Sequence, residues 1–502
     1  MAMQPAALAP IAQELTKALN RHGFTTAGIA EHLGPNATAA WRRGEPAAVR
    51  RRASDDAPLS VLIRAFILGD WVEPDQLTQL IGQSAIDQLC EADGDLVRVA
   101  FDVMPHVLDG TDRWVFSDRD ASMRAFVPGP DHVLGVGAAS LSLLSSVPSS
   151  PVDSLLDLGT GSGVQLLAQA SVAKHATGTD IHPRALDFAR ATLAGAGLAH
   201  VELLEGGWFT PVAGRTFDRI VANPPFVVGM PEVGHVYRDS GLNLDGASEI
   251  VVSEAAQHLT AGGTAHLLAA WAHVDGERWQ QRIASWLPDT GVAAWVLQRD
   301  VADPELYVGT WLRDESIDPR EPGGQDRTVA WLDHFAKFGV TGIGFGFVAI
   351  QRLADDEPSD IVIEELSQAF DDPLGPEVEE YFLRAQWLRT RQALDIATSR
   401  FALRPSVAIN EVSVADESGQ GTRAQVLRIS RLDGPRFSHD IDEHVRAIVN
   451  GLHPAGLTLA EIADLYCAAH GFDIDAFLPE IIGIFVDLIR HGIVLPAELL
   501  AD

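Results

Sequence analysis

Two short stretches of this 502-residue chain carry residues whose types and spacing could do chemistry. The first is Asp157-Leu158-Gly159-Thr160-Gly161-Ser162-Gly163, which leaves an apolar strand pattern and enters a helical one at Val164. Glycines at alternate positions let a backbone turn tightly and approach a ligand with no Cβ in the way. The helix start beyond them offers free N–H groups to a polar or anionic group. The spacing is not the dinucleotide G-x-G-x-x-G, so a nicotinamide or flavin cofactor is disfavoured. The next strand pattern ends in Asp180, followed by Ile181 and His182. An acid about twenty positions beyond such a loop is placed to accept both hydroxyls of a ribose.

The second stretch, Asn223-Pro224-Pro225-Phe226, follows the strand pattern Phe217–Ala222 and so falls at a C-terminal strand edge, where open parallel sheets bind ligands. Consecutive prolines fix φ twice and remove two N–H donors, which leaves carbonyls free to accept. The Asn223 side-chain carbonyl and the Pro224 backbone carbonyl could grip the hydrogens of an NH2 group. Such a grip aims the nitrogen lone pair at an electrophile by proximity and needs no strong base. Phe226 offers a flat face to a planar acceptor.

Together the two motifs resemble those of the class I S-adenosylmethionine-dependent methyltransferases, over about residues 125–350. The resemblance implies S-adenosylmethionine as cofactor. Gly159, Thr160, Gly161 and Gly163 would border its methionine part and Asp157 its amino group. Asp180 would hold the ribose, and Ile181 would pack on the adenine. One departure stands out: Gly207 occupies the position where many relatives carry an acid that accepts the adenine amino group. Trp208 stacks there instead, or a backbone carbonyl takes the hydrogen. In the resembling families N-P-P-[YF] marks methylation of a nitrogen on a planar system, either a base amine or a glutamine amide. Tyr237, Arg238 and Asp239 come shortly after this motif, and Val236–Asn243 is expected to line the acceptor pocket.

Val127-Pro128-Gly129-Pro130-Asp131 is similar to a segment of release-factor glutamine methyltransferases, which also begin with a small helical domain. Asp131–Gly137 and Gly206–Pro211 look more like small-domain methyltransferases, whose nearest characterised cousins modify ribosomal RNA guanine. Neither family spans the whole chain. The acceptor expected first is an exocyclic base amine of RNA. A glutamine amide on a translation protein and a small planar metabolite are the alternatives.

The elements that must position these residues fall in three regions. Residues 1–125 are mostly helical, with helical spacing over Ile11–Leu19 and Leu59–Leu68. Leu96–Phe101 and Trp114–Asp118 alternate like the two arms of one hairpin, suggesting a winged-helix-like module. Residues 126–352 alternate strand and helix, which predicts an α/β, Rossmann-like sheet of seven strands covered on both faces. Its strands are expected at 154–158, 176–180, 201–204, 217–222, 263–270, 292–297 and 343–350, the last one turning back antiparallel. The long stretch Gln298–Gly342 reads as an insertion that shapes a pocket or lid. Residues 354–360 read as a linker to an acidic, mostly helical, winged-helix-like module over 353–502. Helical patterns run over 377–397, 439–452 and 459–492, the last a helix-turn-helix-like stretch ending at Pro496, with a short strand pair at 407–414 and 424–429.

Lys plus Arg number 37 against 69 Asp plus Glu, a net charge of −32. That balance opposes a general polyanion-coating role but leaves room for a local basic groove. The dense N-terminal cations are Arg42, Arg43, Arg50, Arg51 and Arg52. Cys90 and Cys467 stand far apart, so no disulfide framework and no cysteine metal cluster is expected. No export signal is visible, and the uncharged run Val133–Val152 is broken by serines and prolines. The reading is a cytoplasmic enzyme without metal or membrane contact.

Overall fold

The computed structural model describes residues 4–124, 127–232, 239–315, 317–366, 368 and 373–500. Two tight turns decide how the N-terminal region ends. Strand β1 (Cys90–Asp93) pairs with β2 (Leu96–Val99), and β3 (Asp102–Leu108) pairs with β4 (Thr111–Ser117). Asp109 and Gly110 both have positive φ, 51° and 66°, the turn whose twist matches the flanking strands. The single hairpin expected from Leu96–Phe101 and Trp114–Asp118 is therefore corrected to two hairpins, each closed across its own short turn. Helices Ala9–Arg21 and Thr26–Arg42 and four shorter ones precede them. Their apolar faces share one core with Ala185, Phe188 and Ala191 of the helix Pro183–Gly195.

The described residues divide into two compact units, Met1–Leu144 with Ser149–Glu364 and Ser145–Pro148 with Glu365–Asp502. The first is built on an eight-stranded sheet. Its strands are β5 (Val152–Leu158), β6 (Ala173–Asp180), β7 (Glu202–Glu205), β8 (Phe217–Ala222), β9 (Leu259–Val274), β10 (Val292–Ala302), β11 (Val340–Arg352) and β12 (Asp360–Glu365), in the order β12-β10-β11-β9-β8-β5-β6-β7. Strands β7, β6, β5, β8 and β9 run parallel. As expected, β11 runs antiparallel, against both β9 and β10.

The eighth strand revises the sequence reading. Residues 354–360 are a tight turn rather than a linker: Gly291 N–H donates to Glu357 O and Ser359 N–H to Asp289 O. The chain then re-enters the sheet as β12, packing Ile361 and Ile363 on its core.

Strands β9, β10 and β11 run well past their expected ends and form an arm. The stretch read as an insertion folds on it as helices Pro304–Asp314 and Pro322–Lys337. Glycine is required in β11, because a Cβ at Gly344 would lie 2.2 Å from Trp271 Nε1 and one at Gly346 1.9 Å from Leu297 O. The buried Trp271 indole, donating to Gln298 Oε1 at 2.9 Å, fills that space.

The second unit holds helices Leu374–Arg389, Ala393–Thr398, Glu443–Asn450, Leu459–His470 and Ile474–Arg490. Strand β13 (Phe401–Leu403) pairs with β17 (Val494–Pro496), and β14 (Val407–Ala415), β15 (Thr422–Arg431) and β16 (Ser438–Ile441) form a separate three-stranded sheet. Of the helices expected here, the first breaks after Arg389 and resumes at Ala393, and the second starts only at Glu443, while the helix-turn-helix-like stretch from Leu459 is present as Leu459–His470 and Ile474–Arg490. Asp442 and Asp473 cap new helix starts, accepting from Val445 and Asp475 N–H, and residues 438–441 are strand. Glu377 is buried between Arg384 and Arg431, and this pairing holds its carboxyl below the usual range despite burial. Among the described residues no helix is long and apolar enough to cross a membrane.

Candidate functional site

Strands β5 and β6 run parallel with Asp157 opposite Gly178, so the loops leaving them stand side by side. In the first loop Gly159, Gly161 and Gly163 have φ of 73°, 55° and 83°, where only glycine is at ease. The three serve different ends. A Cβ at Gly159 or Gly161 would meet nothing within 4 Å, whereas one at Gly163 would lie 3.3 Å from Ala189 Cα. Gly163 lets two helices approach, and the other two leave space open above the loop.

Three amides of the loop itself are engaged within the fold. Thr160 N–H donates to Thr179 O at 2.8 Å and Gly163 N–H to Thr160 O at 2.9 Å. Gly161 N–H donates to Asp180 Oδ2 at 2.9 Å. These amides hold the loop in shape, and the helix that follows is only the six residues Val164–Gln169.

The open space is a cavity of about 340 Å³, within the range of small-molecule sites. Asp157, Gly159, Thr160, Gly161, Asp180, Ile181, Gly207, Trp208 and Asn223 all line it, as do Pro224 and Pro225. Asp157 is 1 % exposed and accepts from Thr160 Oγ1 at 2.6 Å. Burial lifts its carboxyl to about 7, and the nearby Asp180 adds to the rise. Asp180 accepts from His182 N–H at 2.9 Å as well as from Gly161; burial raises it too. Each carboxylate keeps acceptor capacity in reserve. Asp239 adds a third acid to the wall. Such a lining suits a ligand that carries positive charge and vicinal hydroxyls.

On the far side Ile181 is 62 % exposed, and a Cβ at Gly207 would meet its Cδ1 at 3.5 Å. Trp208 has φ of 49°, a conformation that bulky residues seldom adopt and that clusters at functional sites.

The structure places Phe226 off this cavity's wall. Its half-buried ring meets Phe345 at 6.4 Å and 76°, in an apolar cluster with Val227, Val228, Tyr307 and Trp331. Val228 N–H donates to the buried Tyr307 hydroxyl at 2.7 Å, so the helices on the arm brace the Asn-Pro-Pro-Phe turn from behind. Tyr237 and Arg238 lie outside the described residues.

Sequence reasoning missed His132, Val133, Leu134, Ser140 and Gln165, which also line the cavity. For residues 132–134 only the likeness of 127–137 to known segments drew attention, because an irregular stretch has no periodicity to read. Ser140 and Gln165 lie in helices, where periodicity does not mark a polar residue that faces a cavity. Among the described residues no three His, Cys, Asp or Glu side chains are grouped to hold a metal.

The known proteins similar to this chain are methyltransferases. The family model "Methyltransferase small domain" matches residues 134–275, and two domains of unknown function match 21–102 and 379–496. A release factor glutamine methyltransferase of Gloeobacter violaceus is 30 % identical over 240 residues, 44 % of this chain and 80 % of that protein. A ribosomal RNA small subunit methyltransferase C of Salmonella choleraesuis is 33 % identical over 158 residues, 31 % of this chain and 42 % of that protein. A solved T. thermophilus 16S rRNA methyltransferase in complex with AdoMet and guanosine is 18 % identical, with a TM-score of 0.27. That match covers 46 % of this chain and 63 % of that one.

Two outcomes follow for S-adenosylmethionine binding. Asp180→Ala removes charged hydrogen bonds of about 1.5–3 kcal/mol each, so calorimetry should show affinity weakened about ten-fold or more. Asp157 gives a pH dependence of definite sign. Its folded carboxyl, raised to about 7, holds a proton that an unfolded aspartate has lost, so its stability contribution is present at low pH and lost as pH rises through about 7. A cation beside it needs the ionised form. Affinity should therefore rise about ten-fold between pH 6 and pH 8, and Asp157→Asn should flatten the profile.

Proposed function

Because the chain belongs to the class I S-adenosylmethionine-dependent methyltransferases of the small-domain type, we propose that it methylates a planar nitrogen, an exocyclic base amine of RNA. One observation carries the reading: Asn223, Pro224 and Pro225 line the same cavity as the glycine loop and Asp180. The cofactor supplies an electrophilic methyl group on a sulfonium. The chain's own residues bind and aim. Asp157 takes the ammonium end, Asp180 the ribose hydroxyls, and Ile181 and Trp208 flank the adenine in place of an acid at Gly207. The side-chain carbonyl of Asn223 and the carbonyl of Pro224 accept the two amine hydrogens, which directs the lone pair at the methyl group. In this reading Phe226 offers its remaining face to the acceptor ring.

The N-terminal cations bear on RNA. Arg43 pairs with Glu45 and Arg50 with Asp70, while Arg42, Arg51 and Arg52 are exposed. The turn that carries Arg42 and Arg43 abuts Ser122, since a Cβ at Gly44 would lie 2.7 Å from its carbonyl oxygen. A glutamine amide is the second reading, favoured by the match across 80 % of the Gloeobacter protein and by the net charge of −32. A planar amide presents the same NH2 geometry.

Labelled cofactor with RNA and protein fractions from a deletion strain tells the readings apart. RNA should take the label, and log affinity should fall steeply with log salt. Replacing Arg42, Arg51 and Arg52 with Ala should flatten that slope. Label confined to protein would favour the amide. With whichever acceptor is found, Asn223→Ala should leave cofactor affinity within two-fold and lower turnover about 100-fold. Full turnover in that variant would make the turn purely structural.

A further inference from the structure

The cavity wall formed by His132, Val133 and Leu134 belongs to no helix or strand, yet it is held at three points. Asp118, the residue after β4 in the N-terminal region, donates its backbone N–H to Val133 O at 3.1 Å. Its carboxylate Oδ2 accepts Val133 N–H at 2.9 Å. Leu134 O accepts from Ser162 Oγ of the glycine loop at 2.8 Å. The same Asp118 carboxylate takes both sides of the Arg184 guanidinium, Nε at 2.9 Å on Oδ2 and Nη2 on Oδ1. Arg184 stands in the first turn of the helix that begins directly after Asp180, Ile181 and His182. One carboxylate thus ties the outer wall to the strand end that carries Asp180.

We propose that Asp118 is a positioning residue for the cofactor, fixing residues 132–134 against the glycine loop and the start of the helix Pro183–Gly195. Its side chain is 11 % exposed and that of Arg184 is 24 % exposed, so the pair is shielded from solvent and salt. Bidentate guanidinium–carboxylate geometry also fixes direction. Without that carboxylate the irregular segment keeps only the Asp118 backbone bond and the Ser162 bond, and must be ordered further by the ligand, at the expense of affinity. The N-terminal region is on this account part of the cofactor site as well as a neighbour of it. The proposal rests on the methyltransferase reading above.

Calorimetry with S-adenosylhomocysteine on the full chain tests it without knowledge of the acceptor. Asp118→Ala should weaken binding at least ten-fold. Asp118→Asn keeps an acceptor for Val133 N–H but loses the charge facing Arg184, and should weaken it three-fold or more. If the alanine variant does not fold, the asparagine variant decides alone. Combined with Ser162→Ala, the asparagine change should cost less than the sum of the single effects, because both act on one wall. Asp112→Ala is the control: it breaks a 3.0 Å bond from Thr26 N–H in the same hairpin, away from the cavity. It should lower the melting temperature and leave Kd unchanged. Binding within two-fold of wild type in the Asp118 variants would overturn the proposal, as would an equal loss in Asp112→Ala. Wild-type protein that fails to bind S-adenosylhomocysteine would instead overturn the cofactor reading.

Discussion

The bond from Gly161 N–H to the Asp180 carboxylate is the constraint on which the site depends. It joins the ends of two adjacent parallel strands, and it does so through a side chain rather than the sheet ladder. Parallel strands end together at one edge, so the loops leaving them need an extra tie to stand in register. Asp180 supplies that tie through its side chain and adds another through its backbone, whose carbonyl accepts Gly206 N–H at 2.9 Å. Three loops are thereby fixed around one carboxylate, and the space they enclose is the cavity.

Burying acids at that edge is costly unless they are hydrogen-bonded or meet a cation. Asp157 accepts from the Thr160 hydroxyl and from Leu166 N–H, yet burial still pushes its carboxyl up to about 7. The second unit handles the same problem differently. Glu377 there is flanked by two arginines, a closed arrangement that needs no ligand and whose loss of one partner would strand a buried charge.

The acceptor side is built from longer-range parts. The antiparallel arm of β9, β10 and β11 extends beyond the parallel core and carries two helices whose Tyr307 and Trp331 pack behind residues 226–229. The Asn-Pro-Pro turn is rigid by composition, but its placement comes from this backing, in particular from the Tyr307 hydroxyl that accepts Val228 N–H.

Much of the site was legible because its chemistry is local. Alternate glycines must adopt left-handed φ, two prolines must stiffen a turn, and an acid at a strand end must face the neighbouring loop; each follows from a few consecutive residues. The parallel sheet was legible from alternating strand and helix patterns, and the Asp109-Gly110 turn could have been read as a hairpin by the same local logic. What the sequence left open depends on partners distant along the chain. Whether residues 354–360 link or turn depended on the backbone of residues 289–291. Where Phe226 points depended on Phe345, more than a hundred positions on. That irregular residues 132–134 form a wall depended on Asp118 and Ser162. Residue type and short spacing determined which groups were candidates to bind a ligand, and the resemblance of their motifs to a known family supplied the methyl donor. Only tertiary structure decided which of them share a cavity, because long-range packing and hydrogen bonds leave no period in the chain.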